Sequence, residues 1–171
     1  MFVLLVGLVF SGYKIVDYFY TSYDEKQNFN NVEYYKILDD YVYEYEDEKI
    51  QYNDFEILKK YKKVYEKNND LVGWIKIKDT NIDYPVMQTP EEEEYYIHRD
   101  FYGEYSSAGT LFVDLESNVQ KPSDNILIYG HNMKTGKMFH DLLKYENESF
   151  YKNHKYIQFD TIYGNGTYEV I

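Results

Sequence analysis

The apolar positions of this chain change their spacing twice, and each change marks a different kind of element. Met1 to Tyr13 carries no charged side chain, and after Lys14 the stretch Ile15 to Tyr20 turns apolar again. Crossing a bilayer takes about 20 apolar residues, with tyrosines favoured at the water interface. Residues 1–22 are therefore predicted to be the remnant of a membrane signal anchor, with a buried amphipathic helix as the alternative. From Tyr23 to Asn69 the chain is highly charged and its apolar residues recur at helical spacing. Asn30 with Glu33 predicts a helix start, placing Tyr34, Ile37, Leu38, Tyr41 and Tyr45 on one face. Asn53 with Glu56 repeats the signal ahead of Phe55, Leu58, Tyr61, Val64 and Tyr65, and Asn68 and Asn69 end it. Two helices make an arm over residues 23–70, with the acidic run Glu44 to Glu48 on its solvated side.

Beyond Asp70 the period falls to two. Trp74, Ile75 and Ile77, a turn at Asp79-Thr80-Asn81, and the alternating Ile82, Tyr84, Val86 and Met87 predict a hairpin. Pro85 cannot donate to a ladder and confines its strand to an edge or an end. Thr89-Pro90 before Glu91 to Glu94 predicts a helix start with acids set against the dipole. Leu111 to Val113 and Ile126 to Tyr129 read as buried strands. Met138 to Tyr145 reads as a short helix with Phe139, Leu142 and Leu143 inward. A strand over Tyr156 to Asp160, a turn at Gly164-Asn165-Gly166 and a returning strand from Tyr168 complete the pattern. Short strands without regular β-α alternation predict a mainly β fold with α, a mostly antiparallel sheet or barrel over residues 71–171, preceded by the helical arm.

Composition narrows the function. The apolar share of 44% suffices for a core, and 30 acidic against 18 basic residues give a charge of -12. Such a chain repels phosphate backbones, so nucleic acid is not a partner. The 23 tyrosines fit half-exposed boundary positions better than a sugar-binding surface. The chain contains no cysteine, which excludes a thiolate metal site and a cysteine nucleophile within these residues. Its four histidines, at 98, 131, 140 and 154, lack metal-ligand spacing, so neither a metal nor a cofactor is expected. Ser106 and Ser107 lack the G-x-S-x-G context and read as turn residues. His140 and His154 read as boundary residues. His98, between Tyr96-Ile97 and Arg99-Asp100, reads either as part of an ion-pair cluster or as the wall of a site. His131 stands apart, because Tyr129-Gly130-His131-Asn132-Met133 follows directly on a buried strand. A side chain there can project from a rigid element into a groove, with the glycine allowing a turn.

Several phrases in order resemble class B sortases: Asn69 to Ile75, Asn81 to Val86, Tyr95-Tyr96 with Asp100-Phe101, Gly109 to Asp114, and Asn125 to Met133. The resemblance covers roughly residues 69–171. It implies a sortase-type antiparallel β-barrel, incomplete here, and a membrane-anchored cysteine transpeptidase of Gram-positive bacteria with its catalytic part outside the cell. Such enzymes cut a C-terminal sorting signal peptide, hold it as a thioester and pass it to an amine of a peptidoglycan precursor or pilin. The family histidine corresponds to His131. Its cysteine, in a Thr-x-x-Cys phrase, and its arginine belong to strands expected past Ile171, and Arg99 lies in the wrong phrase to replace the latter. The resemblance points to Ile97 as a groove residue, and period two along the strand before His131 points to Tyr129. A chain without the nucleophile is expected to be inactive alone. The alternative is a decayed, noncatalytic sortase that binds peptides or acts as a scaffold.

Overall fold

A computed structural model describes residues 2–40, 48–121 and 123–171. Its first element, α1 (Phe2–Asp40), is one helix of 39 residues, about 58 Å long at 1.5 Å per residue. Asn30, expected to open a helix, lies inside this one. The side chains of Tyr34, Ile37 and Leu38, and all of Tyr41, Tyr45 and the run 44–47, lie outside the described residues.

The anchor expected over residues 1–22 is corrected. Among the described residues no helix is long and apolar enough to cross a membrane. Length is not what α1 lacks; Lys14 and Asp17 break its apolar run, and each such charge costs roughly 2.5–3.5 kcal/mol at a bilayer centre. The single-pass anchor, the membrane as partner and the cell-membrane localisation built on them are withdrawn. The second half of α1 docks on the body. Val32 is fully buried, Phe29 meets Tyr84 edge-on at 5.1 Å, Asn28 Nδ2 donates to Asp100 (3.0 Å), and Lys137 Nζ donates to the Ser22 carbonyl (2.7 Å).

The second expected helix of the arm is replaced at its start by a hairpin and survives only as short helical turns. Strands β1 (Lys49–Tyr52) and β2 (Phe55–Leu58) pair antiparallel, with Tyr52 opposite Phe55. Asn53 turns between them at φ 51°, a left-handed conformation that asparagine tolerates. Aromatic and β-branched residues on both sides of Asn53-Asp54 favour pleated pairing over a helix. A 3-10 turn (Lys59–Tyr61) and the single-turn α2 (Lys62–Tyr65) follow. The packing stripe survives the change of element: Leu58, Tyr61 and Val64 are buried, with Phe55 and Tyr65 against the same core.

The body is a curled six-stranded sheet in the order β6-β5-β4-β3-β7-β8. Its strands are β3 (Leu71–Lys76), β4 (Asp83–Met87), β5 (Leu111–Val113), β6 (Ile128–Tyr129), β7 (Tyr156–Thr161) and β8 (Thr167–Glu169). Every pair is antiparallel except β4 with β5. Pro85 is tolerated within the sheet because β5 pairs only from Val86 onward, leaving Pro85 a neighbour on the β3 side alone. Both faces are covered, and β5 shows how. Leu111 and Val113 join Ile75, Val86 and Met138 in one cluster, while Phe112 joins Leu71, Trp74 and Val32 in the other. An apolar triplet buried on both sides is what period two yields when helix and hairpin cover one face and the curl encloses the other.

The segment expected as a helix after Gly136 is a 3-10 stretch (Phe139–Glu146) leading into α3 (Glu148–Asn153). Leu142 and Leu143 face outward, contrary to expectation, and Asp141 is the buried residue. With i→i+3 geometry, the inward face repeats every three residues instead of drifting at 3.6. Asp141 accepts the Asn81 backbone N–H (2.7 Å) and Lys144 Nζ (3.0 Å). Nearby, Asp79 accepts from His154 Nε2 (3.0 Å). Burial opposes ionisation of Asp141, but those two donors hold its carboxyl below the ordinary value. The His154 hydrogen bond does the same for Asp79. The stability both carboxylates contribute is therefore present above about pH 4 and lost as pH falls through their lowered folded values. Asp141→Ala, which leaves the Asn81 donor unmatched, should cost about 1–3 kcal/mol in urea unfolding at neutral pH. Its deficit should shrink on acidification.

Candidate functional site

Three segments distant in sequence meet at one end of the sheet. They are the turn before and within the 3-10 stretch Tyr95–His98, the start of β5, and the chain leaving β6. Together they enclose a cavity of about 280 Å³ lined by Glu93, Glu94, Ile97, Thr110, Phe112, Tyr129, Gly130 and His131. The pairing of β5 with β6, Phe112 opposite Tyr129, builds the aromatic wall, with the two rings stacked at 5.5 Å and 30°. Tyr129 remains 45% exposed.

His131 sits at the mouth of β6 with its Nε2 2.9 Å from the Ile97 carbonyl oxygen. A carbonyl only accepts, so Nε2 carries the hydrogen in the neutral ring and Nδ1 keeps its lone pair. Nδ1 has no hydrogen-bond partner among the described residues. One nitrogen fixes the ring and the other is left to exchange a proton, the division of labour a general acid-base needs.

The Ile97 carbonyl is itself held from several sides. The Ile97 N–H donates to Glu94 O (3.0 Å), and the neighbouring Tyr96 carbonyl accepts from Thr110 N (3.0 Å). The Tyr96 ring is buried. Its hydroxyl accepts from Asn68 Nδ2 (2.7 Å) and donates to Asp70 (2.8 Å), while burial pushes its pKa well above the ordinary phenol value. Gly109 lies directly behind, at φ +62°, and a Cβ there would stand 2.3 Å from Ile97 O and 2.6 Å from Tyr96 O.

Gly130 acts differently from the turn expected of it. Its φ is not positive; a Cβ would instead meet Leu111 Cδ2 at 2.1 Å and the Phe139 ring at 3.0 Å. The missing side chain lets β5 and the 3-10 stretch close against the base of the cavity. Phe139 N also donates to the His131 carbonyl (2.9 Å), fixing the backbone that carries the imidazole.

The structure thus brings the three residues singled out from sequence, Ile97, Tyr129 and His131, to one cavity. Glu93, Glu94, Thr110 and Phe112 were not foreseen there. The helix expected from Thr89 does not form: the Thr89 hydroxyl donates to Glu92 O instead of capping, and four adjacent like charges disfavour a helical turn. Glu93 and Glu94 therefore border the cavity rather than a helix end. Period two through Thr110-Leu111-Phe112 was the signal that could have found the other pair. His98 joins no ion pair among the described residues, and its ring lies against His131 instead. Arg99 is turned away, donating to Gly103 O (3.0 Å) and lying over Tyr95. His140 bonds Asn132, and His154 bonds Asp79 and Phe150. No group of acids and histidines able to hold a metal occurs among the described residues.

No protein-family model matches the chain. Over 169 residues it is 35% identical to sortase B of Listeria monocytogenes, a match spanning 98% of this chain and 64% of that protein. It is 31% identical over 161 residues to sortase B of Staphylococcus aureus, spanning 94% and 62%. A crystal structure from Bacillus anthracis, described as similar to sortase B, superposes with a TM-score of 0.77 at 31% identity, covering 86% of this chain and 65% of that one. The chain thus spans a little under two thirds of the length of the relatives it matches.

Proposed function

This chain belongs to the class B sortases, and from that membership we propose that it carries the histidine side of a cysteine transpeptidase site. The reaction is cleavage of a C-terminal sorting motif on a surface protein and transfer of the acyl fragment to an amine of peptidoglycan or a pilin. The observation that carries the reading is the imidazole of His131, fixed through Nε2 by the Ile97 carbonyl beside a cavity walled by Tyr129 and Phe112.

In this scheme a thiolate adds to the scissile carbonyl, and the C–N bond breaks as His131 Nδ1–H protonates the leaving amine. The acyl group rests as a thioester on sulfur. The neutral ring then takes a proton from the incoming amine as its nitrogen attacks, and the C–S bond breaks to return the thiolate. Ile97 and Tyr129 serve as peptide contacts, one apolar and one aromatic with a polar tip. The thiol, and a cation to steady the oxyanion, are not among the residues of this chain, which has no cysteine.

A second reading is a sortase-derived module that binds peptide without transferring it. The codons following Ile171 separate the two. A Thr-x-x-Cys phrase followed by an arginine-bearing strand upholds the transpeptidase, whereas an immediate stop upholds the binding module. The 171-residue chain by itself should release no amine from sorting peptides in a fluorescence-quench assay.

A further inference from the structure

No lysine or arginine lines the cavity beside His131; among the described residues its only fixed charges are the carboxylates of Glu93 and Glu94. Both residues are exposed, and neither side chain joins a hydrogen bond or ion pair among the described residues. Elsewhere on the body Asp83, Asp141 and Asp160 are each matched by a lysine. Arg99, close by in the sequence, is occupied with Gly103 O and the Tyr95 ring. The backbone that carries the two acids is held, with Tyr95 N donating to Glu92 O (3.2 Å) and Ile97 N to Glu94 O (3.0 Å). It is the same turn that presents the Ile97 carbonyl to His131.

The carboxylates are not the only attraction a cation would find there. Tyr129, 45% exposed and stacked on Phe112, adds an aromatic surface to the same cavity, and ring faces attract ammonium groups. At about 280 Å³ the space lies just under the usual range of small-ligand sites, room for an alkylammonium and its stem. We propose that Glu93 and Glu94 are specificity-determining residues that make this cavity a seat for a primary ammonium group. That the seat serves transfer rests on the transpeptidase reading above; that it binds an ammonium does not. The reaction offers two sources of such a group, the acceptor amine, which is protonated at neutral pH, and a lysine side chain within the sorting peptide. An acceptor seated there sheds one proton to solvent. The amine left behind attacks the thioester, and its second proton passes to His131 as the C–N bond forms and the C–S bond breaks. A lysine instead keeps its charge and orients the acyl chain.

The probe is n-butylammonium chloride, titrated into the 171-residue chain at neutral pH and low salt while NMR follows the Tyr129 and His131 ring resonances. The shifts should saturate, and butan-1-ol, of the same length without the charge, should bind several-fold more weakly. Glu93→Gln and Glu94→Gln, nearly isosteric and at exposed positions, should each weaken the ammonium by about two- to fivefold. The double variant should bind both probes alike, and added salt should weaken the ammonium on the parent chain. Butanol that binds the parent as tightly as the ammonium, or an ammonium affinity unmoved in the double variant, overturns the proposal. A cysteine-bearing form of the enzyme separates the sources. If the acceptor is the occupant, the double variant raises the KM for the amine more than that for the sorting peptide. If a lysine is, the double variant loses the preference for a lysine-bearing sorting peptide over its norleucine counterpart. Kinetics changed in neither respect would overturn the role in specificity. An ammonium that binds as expected to an enzyme that transfers nothing would refute the transpeptidase reading and leave the seat standing.

Discussion

Gly109→Ala lowers the unfolding free energy by about 2–5 kcal/mol and swings the His131 ring out of its fixed orientation. The first part of the cost comes from the backbone. At φ +62° a residue with a Cβ crowds its own carbonyl, about 1–2 kcal/mol. The second comes from packing, because the new methyl would stand 2.3 Å from Ile97 O and 2.6 Å from Tyr96 O. Backbone oxygens cannot rotate aside as a side chain would, so the 95–98 turn must shift, at about 1–3 kcal/mol. That shift draws the Ile97 carbonyl away from His131 Nε2. Gly103→Ala is the control: φ there is +83°, but the Cβ would meet only the Tyr95 hydroxyl at 3.3 Å. It should cost the backbone part alone and leave His131 in place. Urea midpoints measure the first effect and the His131 Cε1–H shift the second. Equal midpoints for the two variants would show that the contact behind Ile97 carries no weight.

His131→Ala, made in a cysteine-bearing form of the protein, removes the proton carrier and should cut transfer to an amine by about 10²–10⁴-fold, with little change in the urea midpoint. The small stability effect follows from position: the ring is only partly buried and its one hydrogen bond joins it to an outlying turn. His131→Gln should fall as far, although glutamine can still donate to Ile97 O, because an amide does not titrate in this range. Activity within tenfold of the parent in either variant would remove His131 from the chemistry.

Much of this was legible in the chain because it is locally encoded. The alternation through Ile82, Tyr84 and Val86 names a strand wherever it occurs. An uncharged triplet such as Leu111-Phe112-Val113 asks to be buried on both faces, and it is. The predicted stripe Leu58, Tyr61 and Val64 reached the core although the helix meant to carry it did not form in full, since burial depends on apolar character more than on element type. Two of the expectations that failed rested on a signal with two readings. Asn53 with Glu56 can open a helix or turn a hairpin, and only the register of Tyr52 against Phe55 chose. An uncharged run of thirteen residues suits an anchor or one end of a longer helix, and α1 continues through Lys14 and Asp17.

By itself, then, the amino-acid order determined the chemical classes open to this protein: no thiol, a net negative charge, and a histidine at the end of an apolar strand. It determined the strand faces as well, because side-chain period is a property of neighbouring residues. Tertiary structure alone decided that Ile97 presents its carbonyl to His131, that Gly109 must lack a side chain to allow it, and that His98 stacks beside the ring. Those contacts bridge segments ten or more residues apart, or depend on a turn held by such bridges. They arise from sheet pairing and curl, and no local preference specifies where such segments will meet.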